Sequence, residues 1–264
     1  MHNRILHVFL VLAVATGWMV GCSSGPSEEE LAFQKFQADA GLVQQANTEL
    51  QKIREDIEAA KTQAAELEAI AESKRSEEQA AQLAELTAQI EELGKTSEEA
   101  YNNVQAQLAD LLNTGLNDYP EAPETATALK IYSDEALIVA NDIVEKSGDY
   151  KKAMNHLTGA MGYYQDVGLE VYPALEERIA ELDDWRFITK ERYDAVKKGM
   201  TADEVKELVG IPYYANIQED AQRGIETWLF KKREGGAAAI YFKMKTNKVY
   251  NKNFDAVKTK VVDD

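Results

Sequence analysis

The chain has 264 residues, and its 29 Lys and Arg residues against 46 Asp and Glu residues give a net charge of −17, which argues against nucleic acid as a partner. A single cysteine excludes an intramolecular disulfide and a zinc site built from several thiolates. The charge is uneven, because residues 187–264 carry 15 basic and 12 acidic side chains while the rest of the chain is strongly acidic, and this asymmetry suggests two regions with different partners.

Residues 1–21 have the features of a bacterial export signal. One positive charge, on Arg4, precedes an apolar run from Ile5 to Val20 that is too short to span a bilayer comfortably, and small residues follow it. Residues 19–22 resemble the lipobox of bacterial lipoproteins, although Met19 stands where leucine is more usual. An uncleaved anchor and an ordinary secretory signal cut near Gly21 remain alternatives.

The lipobox resemblance implies that Cys22 becomes the first residue of the mature protein and carries a covalent acyl lipid. Each buried CH₂ contributes about 0.8 kcal/mol, so two or three acyl chains hold a protein stably on a membrane. No other cofactor and no metal is expected. Ser23, and not aspartate, follows Cys22, and by resemblance to proteobacterial sorting rules this favours the periplasmic face of the outer membrane.

Residues 22–30 contain Ser, Gly, Pro and three successive Glu residues, and they are predicted to form a flexible tether. Residues 31–95 are predicted to form a coiled-coil helix or a hairpin. Their heptad seam, with steps of three and four residues, runs through Val43, Ala46, Leu50, Ile53, Ile57, Ala60, Ala64, Leu67 and Ala71. Because alanine-rich layers bury little area, the seam is expected to need a partner helix in the same chain or, by self-association, in another copy.

The heptad seam slips after Ala71, and the next apolar positions begin at Leu83. Between them, Ser76 and Gln79 have the spacing of a capping box. The slip is compatible with one helix of about 95 Å, at 1.5 Å per residue, that passes through a stutter. It is equally compatible with two helices that fold back as a hairpin, and a passive spacer role remains open for either arrangement.

Residues 96–186 are predicted to be helical in several segments. Gly94 is expected to end one helix, and Thr96 with Glu99 to begin the next as a capping box. Pro120 and Pro123 then interrupt the helical pattern. Further helices are predicted at about 124–146, 150–165 and 174–182.

The segment from about residue 130 to residue 165 resembles one tetratricopeptide repeat. In that family small residues allow two antiparallel helices to approach closely. Only one unit is recognisable, and repeats of this kind normally need neighbours to bury a continuous core. An ordinary αα-hairpin with alanine at its contact is an equally open alternative. The resemblance depends on Gly148, Asp149, Tyr150, Ala153, Leu157 and Ala160.

Residues 187–256 change to a pattern of helices followed by strands. A short helix is predicted from Tyr193 to Gly199, and a capping box of Thr201 and Glu204 begins a second helix that Gly210 ends. Strands are predicted at 224–231, 237–244 and 248–253, as an antiparallel sheet covered on one face by the two helices. Residues 257–264 are left as a tail. The predicted class is α+β: a long coiled-coil-like helical region and helical hairpins, then a small α-α-β-β-β domain.

The C-terminal domain contains a set of motif residues in order, namely Gly199, Met200, Thr201, Val205, Leu208, Gly210, Pro212, Trp228 and Phe242. With this set the domain resembles the SmpA/BamE (OmlA) family over about 65 of the 264 residues. That resemblance implies a small outer-membrane lipoprotein of α-α-β-β-β fold that belongs to the machinery inserting β-barrels. The fold is shared with repeats of proteinaceous β-lactamase inhibitors, so an inhibitor or sensor of an envelope enzyme is an alternative. Each of these motif residues also has a possible structural role, such as ending or capping a helix or filling the core.

The sequence offers little for catalysis. His156 is the only histidine beyond the predicted signal, it lies on an amphipathic helix, and no triad or metal cluster is recognisable around it. Gly235 and Gly236 fit a hairpin turn better than a phosphate-binding loop. The chain is therefore predicted to be a membrane-anchored binding or assembly adaptor with an envelope protein as its partner, and not an enzyme.

A basic contact surface is predicted on the C-terminal domain. Facing an anionic headgroup layer, each of its cations would add up to about 1 kcal/mol of attraction. An acidic partner protein would be attracted in the same way. The alternative is that these cations pair with acidic helices of the same chain. The candidate residues are Lys197, Lys198, Lys231, Lys232 and Arg233.

Overall fold

The structure, a computed structural model, describes residues 25–257 and residue 262. The predicted signal peptide, Cys22 and most of the predicted tail lie outside the described residues. The α+β class is confirmed, because helices are followed by one antiparallel sheet. The elements are α1 (Glu28–Glu68), α2 (Glu77–Asp118), α3 (Pro123–Ser147), α4 (Tyr150–Val167), α5 (Pro173–Trp185), α6 (Lys190–Ala195), α7 (Ala202–Val209), β1 (Ile217–Asp220), β2 (Ile225–Lys231), β3 (Ala237–Lys243) and β4 (Lys248–Val257).

Helices α1 and α2 form a hairpin, which decides between the two arrangements that the slipped seam allowed. The reversal depends on Ser76, whose hydroxyl accepts from the backbone N–H of Gln79 at 3.1 Å while the Gln79 side chain accepts from Ser76 N–H at 2.9 Å. Arg75 adds a C-terminal cap for α1, donating to the carbonyls of Leu67 and Glu68 at 2.9 Å. The turn therefore satisfies both helix ends at once.

Two predicted boundaries in this region are wrong. Helix α1 begins at Glu28, inside the predicted tether, because Ser27 and Glu30 form a capping box there. Helix α2 continues through Gly94, where a break was predicted. The Thr96 hydroxyl donates back to the carbonyl of Glu92 at 3.1 Å and so does not cap a new helix. A single interior glycine costs only about 1 kcal/mol relative to alanine, which a helix of 42 residues can absorb.

The hairpin has two parts with different partners. We call residues 28–54 and 97–118 the base, and residues 55–96 the tip. Apolar side chains of the base form a cluster with Ala128 and Ile131 of α3. The tip is held by a smaller cluster, centred on Ala60, Ala64 and Leu86. Most seam positions are buried or half-buried, but Ala71 is exposed because α1 has already ended.

A buried ion pair marks the border between base and tip. The two guanidinium nitrogens of Arg54 donate to the two carboxylate oxygens of Glu135 at 2.5 and 2.9 Å. Glu135, on α3, is only 4% exposed. The Arg54 guanidinium also lies 5.9 Å from the ring centre of Tyr101 on α2. Arg54 therefore joins α1, α2 and α3 at one point.

Helices α3, α4 and α5 form a second helical layer. Fully buried alanines, among them Ala140, Ala153 and Ala160, allow the close approach of α3 and α4. Gly148 connects these two helices in a left-handed conformation with φ 63°. This arrangement is an αα-hairpin, and its relation to a tetratricopeptide repeat stays a prediction.

The C-terminal sheet has four strands in the order β1-β2-β3-β4, so the predicted count of three is wrong. The missed strand, β1, has a polar and largely exposed sequence without apolar alternation, which gave no strand signal. Helix α6 also begins earlier than predicted, because Thr189 caps its N-terminus. It ends at Ala195, since Val196 has an extended backbone. One face of the sheet packs on α6 and α7 through a core that includes Trp228, Ile240 and Phe242.

Candidate binding surfaces

Residues 199–201 of the predicted motif join α7 to β4. Gly199 N–H donates to the carbonyl of Val249, and Val249 N–H donates to the carbonyl of Met200, both at 2.8 Å. Thr201 caps α7 in a capping box with Glu204. Hydrogen bonds from the backbone N–H and the hydroxyl of Thr201 lower the pKa of the Glu204 carboxyl below its ordinary value. These residues therefore hold the local fold together.

The apolar motif residues lie inside the domain. Trp228 and Phe242 are buried with their ring centres 4.3 Å apart, and Val205 is fully buried beside them. Leu208 is half-buried and packs against the same core. As core residues they offer little surface to a partner, so whatever this domain binds must contact other side chains.

Gly210 and Pro212 lie where the C-terminal domain meets the helical layer. The Tyr150 hydroxyl, on α4, accepts from Ile211 N–H at 2.9 Å. A Cβ added to Gly210 would lie 2.6 Å from that hydroxyl, and one added to Gly148 would lie 2.3 Å from the Pro212 carbonyl oxygen. Both glycines have positive φ, so this junction depends on the close approach of Gly148 to the Pro212 backbone and of Gly210 to the Tyr150 side chain, which only glycine allows.

Three of the five predicted contact cations contact acidic or aromatic side chains of the same chain. Lys232 donates to the Asp255 carboxylate at 2.7 Å and its side chain is only 10% exposed. Arg233 donates to the carboxylate of Asp183, at the end of α5, at 2.8 Å, and its guanidinium lies 4.5 Å from the ring centre of Phe187. Lys231 lies 5.5 Å from the same ring. At these positions the structure favours pairing with acidic and aromatic residues of the same chain.

The remaining two cations, Lys197 and Lys198, lie on the exposed loop between α6 and α7. The Lys197 ammonium donates to the carbonyl of Asp194 at 2.7 Å. Contact of this loop with lipid or with an acidic partner stays a prediction. Sequence reasoning missed Lys252, whose ammonium donates to the Tyr193 carbonyl at 2.6 Å and whose pKa is lowered by burial.

Within residues 25–257 and at residue 262, no group of three or more His, Cys, Asp and Glu side chains could hold a metal ion. His156 is half-buried on α4. No helix in the described part of the chain combines the length and the apolar character needed to cross a bilayer. Cys22, the predicted lipidation site, lies outside the described residues.

A concave surface between α1 and α2 was missed by sequence reasoning. This groove has a volume of about 460 Å³, and its lining comes from the two helices of the base and from Tyr119. Buried Phe36, Val43 and Leu111 form its floor, and Leu42, which is 59% exposed, forms part of its lip. We call it the base groove. The only signal in the sequence is Leu42, an apolar residue outside the heptad seam.

A second, smaller concavity, of about 310 Å³, lies where α2, α3 and α4 meet. The rings of Tyr132 and Tyr163 meet edge to face in it with centres 5.4 Å apart. Burial, and to a smaller extent Tyr163, raise the pKa of the Tyr132 hydroxyl. Gln105 and Asn113 are its other polar lining residues, so this concavity carries no charge.

Comparison of the chain with models of protein families, with curated proteins and with solved structures finds no match.

Proposed function

We propose that the protein is a lipoprotein adaptor of the bacterial cell envelope, anchored by an acyl lipid on Cys22 to the periplasmic face of the outer membrane. In this proposal it binds other envelope proteins and is not an enzyme. Its C-terminal domain would take part in β-barrel assembly, as its resemblance to the SmpA/BamE family suggests.

One observation carries the proposal: α3 connects the hairpin to the C-terminal domain through packed contacts at both of its ends. Near its N-terminus, Ala128 and Ile131 pack into the base of the hairpin. At its C-terminus, Gly148 lies against the backbone of Pro212. A helix of 25 residues is about 37 Å long. The chain thus holds two separate surfaces at a set distance, which is what an adaptor requires.

The position of α1 supports the anchor. Helix α1 begins at Glu28, six residues after Cys22, and a chain of that length spans at most about 20 Å. The base of the hairpin would therefore lie near the membrane. Helix α1 has 41 residues, so the tip would extend up to about 60 Å from the point where the helix begins.

A passive spacer is less well supported by the same features. The heptad seam of α1 packs against α2 of the same chain, so no second chain is needed to cover it. A spacer role would also leave the C-terminal domain without a function, although that domain packs on the helical layer through Arg233 and Tyr150.

Mass spectrometry of the exported chain tests the anchor, with Cys22→Ser as the matched control. The expected result is an acylated first residue in the membrane fraction and release of the Cys22→Ser chain from it. Crosslinking in intact cells, followed by purification from solubilised outer membranes, tests the adaptor role, with barrel-assembly components expected among the crosslinked partners. An unmodified thiol on the exported chain would contradict the anchor, and turnover of a substrate by the purified chain would contradict the non-enzymatic role.

A further inference from the structure

We propose that the base groove binds an amphipathic helix of a partner protein, one that carries Lys or Arg residues on both sides of an apolar stripe. This inference names the chemistry of a partner for the adaptor. It rests on the proposed binding role, but it does not depend on the lipid anchor.

The shape of the base groove suits a helix. From Ala32 to Val43, α1 lines it over about 16 Å, which is three helical turns at 5.4 Å each. Two packed antiparallel helices present a straight groove between their side-chain ridges, and a third helix can lie along it. The floor of Phe36, Val43 and Leu111 is apolar, so an apolar stripe with spacing i, i+3, i+4 and i+7 would cover it.

The rim of the base groove selects the charge of that helix. Its charged lining residues are three carboxylates, on Asp39, Asp110 and Asp118, and one ammonium, on Lys35. The Lys35 ammonium forms an ion pair with the Asp39 carboxylate, to which it donates at 2.6 Å. The side chains of Asp110 and Asp118, both on α2, form no hydrogen bond or close ion pair with a described residue, although the Lys35 ammonium interacts electrostatically with Asp110 from beyond ion-pair distance. A cationic flank would meet two carboxylates that lack a close partner.

The same charges disfavour the other occupants of an apolar groove. A second copy of this chain that docked groove to groove would bring an identical set of carboxylates, and like charges placed together cost binding free energy. A fatty acid or an anionic lipid headgroup would meet the same repulsion. The concavity between α2, α3 and α4 has no charged lining residue, so it cannot distinguish a cationic from an anionic ligand. The base groove can make that distinction and is therefore the more specific binding surface.

Binding of two synthetic helices to the full mature chain, carrying Cys22→Ser, tests the proposal. Both peptides have 18 residues and the same leucine stripe, and their flanks are lysine in one and glutamate in the other. We expect the lysine peptide to bind at least about tenfold more tightly. Ala32→Cys in this cysteine-free background places one fluorescent label in the groove, and Ala38→Cys, exposed outside the groove lining, is its control. Only the first label should respond to the peptide.

Charge reversal separates the base groove from the general acidity of the chain. Asp110→Lys with Asp118→Lys should weaken binding of the lysine peptide about tenfold or more. Glu98→Lys with Glu99→Lys, exposed on the same helix outside the groove lining, changes the net charge equally and should weaken it less than about twofold. Circular dichroism checks that both variants stay helical.

Equal losses in the two charge variants, equal binding of the two peptides, or no response of the label at residue 32 would overturn the inference. The proposed function fails separately. If crosslinking to envelope partners persists in the Asp110→Lys, Asp118→Lys chain, the adaptor stands without this groove. If Cys22 is found unmodified, the peptide result still holds and the anchor does not.

Discussion

The base and the tip of the hairpin follow the same heptad pattern, yet they differ in what stabilises them. At the base, Phe36, Val43 and Leu108 pack together with side chains from α3, so each turn meets two neighbouring helices. At the tip, each helix meets only the other one, largely through Ala60 and Ala64. A regular seam therefore specifies which residues face inward, while the third helix decides how much apolar area they bury.

Truncation of one leucine in each part should show the largest difference. Leu108, in the base, is 1% exposed, and Leu108→Ala should lower the free energy of unfolding by about 3 to 4 kcal/mol. Leu86, in the tip, is 8% exposed with fewer helices around it, and Leu86→Ala should cost about 2 kcal/mol because the site can relax. Denaturant unfolding of both variants measures this, and equal losses would mean that base and tip are packed alike.

The Arg54–Glu135 pair tests whether α3 stabilises the border between the two parts. Arg54→Met leaves the Glu135 carboxylate buried without its cation and should cost about 3 kcal/mol. Replacing both residues, Arg54→Met with Glu135→Leu, should recover most of that loss because no uncompensated charge remains. Denaturant unfolding compares the single and double variants. A double variant as unstable as the single one would show that packing of the Arg54 stem, and not its charge, matters.

The fold was easier to predict than the candidate binding site, because local sequence patterns specify helices but not the contacts between distant residues. The seam and the Ser76 capping box are local patterns, and they identified the buried face and the start of α2 correctly. The choice between a long helix and a hairpin could not be made, since both have the same local periodicity. Strand β1 was missed because its exposed residues do not alternate, and it is defined only by pairing with β2.

The base groove exists only after the chain folds back. Leu42 and Asp110 are 68 positions apart, and nothing in the sequence around either one indicates that they line the same surface. For the basic residues of the C-terminal domain, the side chains could be identified from the sequence but their partners could not. Lys232 and Arg233 were visible as charges, but their carboxylate partners Asp255 and Asp183 are distant in sequence, so pairing within the chain could be named only as an alternative.

Loss of the turn cap should have a smaller, local effect on the tip. Ser76→Ala removes the hydroxyl that accepts from Gln79 N–H and should cost about 1 kcal/mol. Amide hydrogen exchange should become faster at the two helix ends beside the turn, while the base keeps its protection. Ser97→Ala, inside α2 and without a capping role, is the control and should not accelerate exchange. Faster exchange across the whole hairpin would show that tip and base unfold as one unit.

Gly94→Ala should give the smallest effect, and one of opposite sign. Gly94 lies inside α2 with open space where a Cβ would be, so alanine gains helix propensity and should stabilise the tip by about 0.5 to 1 kcal/mol. Gly148→Ala is the contrasting control, because its φ of 63° and the Pro212 carbonyl leave no room for a side chain, and it should destabilise the protein. Thermal unfolding measures both variants. Gly94→Ala could slow hydrogen exchange in the tip and still leave the midpoint of thermal unfolding unchanged. That result would mean that the tip opens independently of the base, because the midpoint reports only on global unfolding.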